Sequence, residues 1–172
     1  MGCEIRALTA DEARDMVEPL IELLRDAVDS GASVGFLPPL EEAEAREYWQ
    51  GVFAAMTQRR RRLLAASENG SIHGAVQLDL EPRPNGSHRA EVMKLFVHRR
   101  VRRRGIGRAL MQAVEDAARG AGRSLLVLDT KRGDAAEQLY LSLGYTVAGA
   151  IPRYARDTSG TLHDTVIFYR EL

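Results

Sequence analysis

A chain of 172 residues is long enough to bury a core of its own and short for two, so a single domain spanning 1–172 is expected. Its 24 basic residues balance 24 acidic ones, which excludes a global field drawing it to nucleic acid or to an anionic membrane and makes any anion site a local one. The single cysteine, Cys3, excludes an intramolecular disulfide and a cysteine-based zinc site, and no signal-like start or long apolar run is found, so a soluble cytoplasmic protein is expected.

In chain order, a short strand is expected around Cys3 to Leu8. Thr9 and Glu12 follow at the spacing of a capping box, which opens a helix. Met16, Leu20, Leu24 and Ala27 then recur at helical spacing, with Pro19 inside the pattern expected to kink or interrupt it. Gly31 to Pro39 reads as a loop, and a second helix runs from about Glu41 with Ala45, Trp49, Val52, Phe53 and Met56 on one face. Arg62–Ser67 and Ile72–Leu80 flank Asn69 and Gly70, a hairpin signal because both residues tolerate positive φ. A turn at Pro84, Asn85 and Gly86 feeds a strand from Arg89 to Val97. A helix from Gly107, a strand Leu125–Thr130, a helix Ala135–Leu143 and a strand pair ending near Tyr169 complete the chain. This alternation predicts an α/β fold, a mixed sheet with helices on both faces.

Val97 to Leu110 is the most informative stretch, a strand running into a basic loop that opens a helix. Gly105 and Gly107 let the backbone approach a bulky anion, because no Cβ stands in the way. The helix that follows, with Ile106, Leu110, Val114, Ala117 and Ala121 on one stripe and Glu115 spaced to pair with Arg119, adds its free N–H groups and the positive end of its dipole. Arg102, Arg103, Arg104 and Arg108 add charge. A Walker loop needs a Gly-Lys-Ser/Thr ending, and the dinucleotide fingerprint needs a third glycine; neither fits. The segment resembles the pyrophosphate loop of the GNAT acetyltransferase superfamily, written as Arg or Gln, two residues, Gly, one residue, then Gly or Ala, which Arg102, Gly105 and Gly107 match.

Downstream, Tyr140, Leu143, Gly144 and Tyr145 are similar to that superfamily's helix ending in a Tyr and a Leu-Gly-aromatic turn, with Gly133 standing where an Asn often contacts the pantetheine arm. Gly31 to Phe36, Pro84-Asn85-Gly86, Arg89 to Val92 and Leu128-Asp129-Thr130 resemble the tabtoxin-resistance-type acetyltransferases in particular. The resemblance, covering roughly residues 31–172, implies a GNAT fold whose mostly antiparallel sheet is splayed between the fourth and fifth strands. It implies acetyl-CoA as co-substrate, no metal, and an amine acceptor on a small, amino-acid-like or β-lactam molecule. Leu95, Phe96, Val97 and the loop Arg102–Arg108, including Ile106, would hold the donor, with the amides near Leu95–Val97 polarising the thioester carbonyl. Glu91 and Asp129, carboxylates inside apolar strands, would deprotonate the amine through water, and Tyr140 would protonate the departing thiolate.

Other readings of the same residues stand beside these. Glu91 is equally suited to a structural ion pair with Arg89 or Lys94, Asp129 to capping the Gly133 loop, and Tyr140 and Trp49 to a core. Phe36, Tyr48 and Trp49 are candidates for an acceptor pocket, while His73, His88, His98 and His163 show no metal-ligand spacing. Two alternative functions are a nucleic-acid-binding module built on Arg59–Arg62 and Arg99–Arg108, against which zero net charge and the lack of interleaved aromatics count, and a CoA-binding sensor without catalysis. A monomer or homodimer is expected, with neither nucleic acid nor membrane as partner.

Overall fold

The computed structural model describes residues 3–172. Strand β1 (Glu4–Leu8) ends at Thr9, whose side chain caps the Glu12 N–H while the Glu12 carboxylate accepts from the Thr9 N–H, the expected capping box. Helix α1 (Ala10–Asp15) stops after less than two turns, and α2 (Val17–Asp29) restarts across Met16. The restart answers the proline: it brings Pro19 into the first turn of α2, where its missing N–H would have had no partner. After the Gly31–Pro39 loop come α3 (Glu42–Thr57), β2 (Arg61–Glu68) and β3 (Ser71–Leu80), with Asn69 and Gly70 at φ 51° and 79° making the hairpin turn. The chain continues through β4 (Arg89–Val97), α4 (Ile106–Gly120), β5 (Leu125–Lys131), α5 (Ala135–Ser142), β6 (Thr146–Arg156) and β7 (Leu162–Glu171).

The strands form one sheet in the order β1-β2-β3-β4-β5-β7-β6, parallel only between β4 and β5. Each face carries its own core. On one, α1 to α3 cover Leu63, Ala65, Ala75 and Phe96, with Trp49 fully buried among them. On the other, α4 and α5 cover Leu64, Val76, Leu78, Leu126, Leu128 and Phe168. Neighbouring residues of β2 and β3 thus serve opposite cores, which is the strand's period of two at work.

Two irregularities open the sheet. The β4–β5 ladder runs only from Arg89↔Leu125 to Glu91↔Val127, after which the strands part, as expected of the fourth and fifth strands. Beside that gap, β4 carries a bulge: Ala75 faces Phe96 and Gln77 faces Met93, so two steps on β3 match three on β4. The extra residue lies at Lys94–Leu95, with Lys94 at φ 55°.

Contacts correct one local expectation. Glu115 does not pair with Arg119, which instead meets Asp116 at 3.0 Å. Glu115 is buried and accepts from Arg170 at 2.8 Å, and the same guanidinium donates to the Leu143 carbonyl, joining α4, β7 and the turn after α5. Arg60 and Arg61 of the Arg59–Arg62 run meet Asp79 at 3.2 Å, and Arg62 donates to the Ala117 carbonyl in α4.

Candidate active site

The loop from His98 to Gly105 is held from behind by α2. Asp26, 7% exposed, accepts from the Arg99 N–H at 2.9 Å and from its guanidinium Nε, and His98 lies 3.6 Å away. Arg102 donates to the Val97 carbonyl at 3.0 Å and to Ser30 Oγ at 2.7 Å. Two of the arginines thus shape the loop, and Arg108 is engaged with Ser142 Oγ at 2.8 Å. Gly105, the N-cap of α4 at φ 82°, supplies no capping side chain, and the first loop-to-helix bond is Ala109 N–H to Gly105 C=O. The amides of Ile106, Gly107 and Arg108 therefore remain available at the positive end of the helix, a ready anion site. A cavity of about 660 Å³ lies over them, running from the α2 end to α5. Leu95, Phe96, Val97, Arg102, Arg103, Gly105, Ile106, Gly107 and Arg108 all line it, whereas Arg104 is exposed and off its wall.

The cavity meets the sheet at the gap. Past Glu91, β4 has no partner on its β5 side, so the backbone of that edge, Leu95 to Val97 included, faces the opening. The bulge also needs Gly74: a Cβ there would sit 2.8 Å from the Phe96 carbonyl and 3.0 Å from Leu110.

On the face shared with α3, cross-strand pairing aligns Arg61, Asp79, Glu91 and Val127 in one row. Among the described residues Glu91 has no ion-pair partner, and Arg89 turns to Glu81 at 2.7 Å. Partial shielding by its neighbours, then the charges of Asp129 and Asp79, raise the Glu91 pKa above the ordinary carboxylate value, with Arg61 and Lys94 opposing. Asp129, one strand over on the same face, accepts from Thr165 Oγ1 at 2.7 Å, and the Gly133 N–H is capped by Glu137 instead. Tyr140 is buried, its ring 5.9 Å from Tyr145 and 5.8 Å from Phe168, and it is not among the residues of the cavity wall, which the preceding Leu139 does line. Burial, then Asp129 and Asp134, push its pKa up, so it stays a phenol at any ordinary pH.

A second cavity of about 330 Å³ lies between the Gly31–Pro38 loop and the β6–β7 hairpin, reached by Phe36, Lys131, Arg156 and His163. Gly31 and Ala32 line both cavities, so one loop separates them. Phe36 packs edge-on against Tyr48 at 5.3 Å, and both also line a groove with Glu44 and Glu47, while Trp49 belongs to the core. Among the described residues, no group of His, Cys, Asp and Glu has the geometry to hold a metal. No described helix is long and apolar enough to cross a membrane. Asp26 and Gly74 went unnoticed in the sequence, since each owes its part to a partner distant along the chain, and Lys94, read there only as an ion-pair partner for Glu91, donates to the Val34 carbonyl.

Residues 21–145 match the model of the acetyltransferase (GNAT) family. The chain is 32% identical over 114 residues to an uncharacterized N-acetyltransferase of the hisH–hisA intergenic region of Azospirillum brasilense, covering 65% of this chain and 66% of that protein. It is 35% identical over 99 residues to an IAA acetyltransferase of the same organism, covering 56% and 61%. The chain therefore spans somewhat less than two thirds of these relatives' length. Among solved structures, an N-acetyltransferase from Staphylococcus aureus Mu50 superposes with a TM-score of 0.83 at 19% identity over 99% of each chain. An acetyltransferase candidate from Salmonella typhimurium, solved with its cofactor acetyl-CoA, gives 0.79 at 21% identity over 100% of this chain and 95% of that one. The splayed sheet is thus the GNAT fold, and with nearly three quarters of its length inside the family model this chain belongs to the acetyltransferase (GNAT) family.

Proposed function

We propose that the chain transfers the acetyl group of acetyl-CoA to a primary amine of a small, amino-acid-like acceptor, directly and with both substrates bound. The observation that carries this reading is the gap after Glu91 and Val127, which has the free amides of α4 on one side and a carboxylate pair on the other. The donor pyrophosphate would sit on the amides of Ile106 to Arg108 beside Arg103, with the pantetheine arm along the free edge of β4 at Leu95–Val97.

An alkylamine with a pKa near ~10.4 is nucleophilic in only about one molecule in a thousand at neutral pH, a handicap of about 4 kcal/mol. Glu91 and Asp129 would take its proton through water, and a raised carboxylate pKa makes Glu91 a better base than an ordinary carboxylate. As nitrogen bonds to the acetyl carbon, the carbon–sulfur bond breaks, the thiolate would take its proton from Tyr140, kept a phenol by burial, and the second proton leaving the nitrogen would restore that phenol. Cys3 stands at the start of β1 and has no part in this scheme. The 330 Å³ cavity is of a size for an amino acid, and Lys131 and Arg156 on its wall would suit an acceptor carboxylate.

The motifs similar to tabtoxin-resistance-type enzymes make a β-lactam amino acid the first acceptor to try. The scheme uses no metal and goes with a cytoplasmic enzyme, monomer or homodimer. Release of CoA thiol should be followed with a β-lactam amino acid, then with free amino acids and small amines. Intersecting double-reciprocal plots are expected for a ternary complex. Tight acetyl-CoA binding with no transfer to any amine would instead leave a CoA sensor.

A further inference from the structure

The bulge in β4 moves one side chain that strict alternation would send elsewhere. Glu91 and Met93 point to the α3 face, so Lys94 would turn toward α4. The extra residue and its φ of 55° carry it back, and Lys94 Nζ donates to the Val34 carbonyl in the α2–α3 loop. The fit is close: a Cβ on Gly35, itself at φ 89°, would lie 3.4 Å from that nitrogen. Val34 and Gly35 belong to the loop that separates the two cavities.

We propose that Lys94 is a positioning residue for the transfer: its ammonium pins the Ser33–Gly35 segment against the gap and sets the charge balance of the Glu91–Asp129 pair. A non-glycine residue in the left-handed region is uncommon and persists where its side chain is held, as here. The charged groups facing the carboxylate pair are Arg61 from β2, Asp79 from β3 and Lys94 itself, while the Tyr48 phenol of α3, bonded to Gln77 and pushed up to about 12, stays neutral. Burial lowers the Lys94 pKa, Asp129 and Glu91 raise it, and Arg61 lowers it, the mutual effects expected of charges in one cluster. Two carboxylates on one face repel, and an ammonium among them lets both stay ionised to lower pH than they otherwise would.

The proposal rests on the carboxylate reading above, and the test separates the two. In Lys94→Met the acidic limb of the kcat/KM profile should move up by about half a unit or more, because losing a cation raises the neighbouring carboxylate pKa values. Hydrogen exchange at Ser33–Gly35 should quicken, and Lys94→Arg should return the limb toward its wild-type position. A folded Lys94→Met whose rate falls equally at every pH, with its limb unmoved, overturns the proposal while leaving Glu91 and Asp129 in place. Wild-type activity in both Glu91→Gln and Asp129→Asn removes the carboxylate reading itself, and Lys94's charge role with it.

Discussion

The two sides of the gap between β4 and β5 are made from different materials. On the proposed donor side, the scheme uses backbone amides at the start of α4, and the surrounding arginines largely brace the loop: Arg99 on Asp26, Arg102 on Ser30 and Val97. On the proposed acceptor side, the scheme uses side chains brought from β4 and β5 onto one face, with Lys94 tied to the backbone of the α2–α3 loop. A backbone site depends on local conformation, which a few glycines can set. A side-chain site depends on register and on long-range packing, and its pKa values depend on neighbours that the chain alone does not order.

The largest effect should come from the acceptor side. Glu91→Gln and Asp129→Asn should each lower kcat by about 10²–10⁴, and the double variant should be less than additive because both serve one proton path. The sign of the pH dependence follows from the raised Glu91 pKa: the base is lost by protonation as pH falls, and it is lost earlier than for an ordinary carboxylate. The acidic limb should therefore lie above the usual carboxylate range, a position that a full pH–rate profile measures directly.

Tyr140→Phe keeps the ring contacts with Tyr145 and Phe168 and deletes only the hydroxyl, so acetyl-CoA affinity should persist while kcat falls by about 10². The defect should shrink with a donor whose leaving thiol is more acidic; equal slowing with both donors would make the tyrosine a packing residue. Because Tyr140 is not on the cavity wall, this is the sharper of the two tests of side-chain roles.

The donor side should respond in affinity and not in the pH profile. A Cβ on Gly107 would stand 3.5 Å from Leu139 and 3.7 Å from Val97, ordinary contacts, so Gly107→Val should fold while weakening acetyl-CoA binding about tenfold or more by calorimetry. Gly105 is the poorer probe, since any side chain there is strained at its φ of 82°. Smaller still, Asp26→Ala removes the acceptor of the Arg99 bonds, and the loosened loop should cost about fivefold in acetyl-CoA affinity, the worth of roughly one net hydrogen bond. If that variant instead moved the acidic limb, the division between the two sides would fail.

What could be read from the sequence was whatever local geometry writes into local pattern. Thr9 and Glu12 announce their capping box, Asn69 and Gly70 their hairpin, and Gly105 the turn that opens α4, because a cap or a turn needs particular residues within a few positions. The break at Met16 was legible only in part: Pro19 says that a helix cannot run through unchanged, not where it restarts. The arginine run misleads in detail for the same reason, since charge on a string does not say whether a guanidinium meets a phosphate or its own Asp26, Ser30 or Asp79.

The apolar periods, caps and glycines by themselves determined seven strands, most of the helix positions and the glycine turn that opens α4, since each is settled by interactions within a few residues. Only the tertiary structure decided that β4 and β5 part after Glu91 and Val127, that a bulge opposite Ala75 and Gln77 turns Lys94 toward Val34, and that Asp129 finds Thr165. Those outcomes depend on which strand lies beside which and in what register, and a slip of one residue would send Glu91 to the opposite face with no change in any local preference.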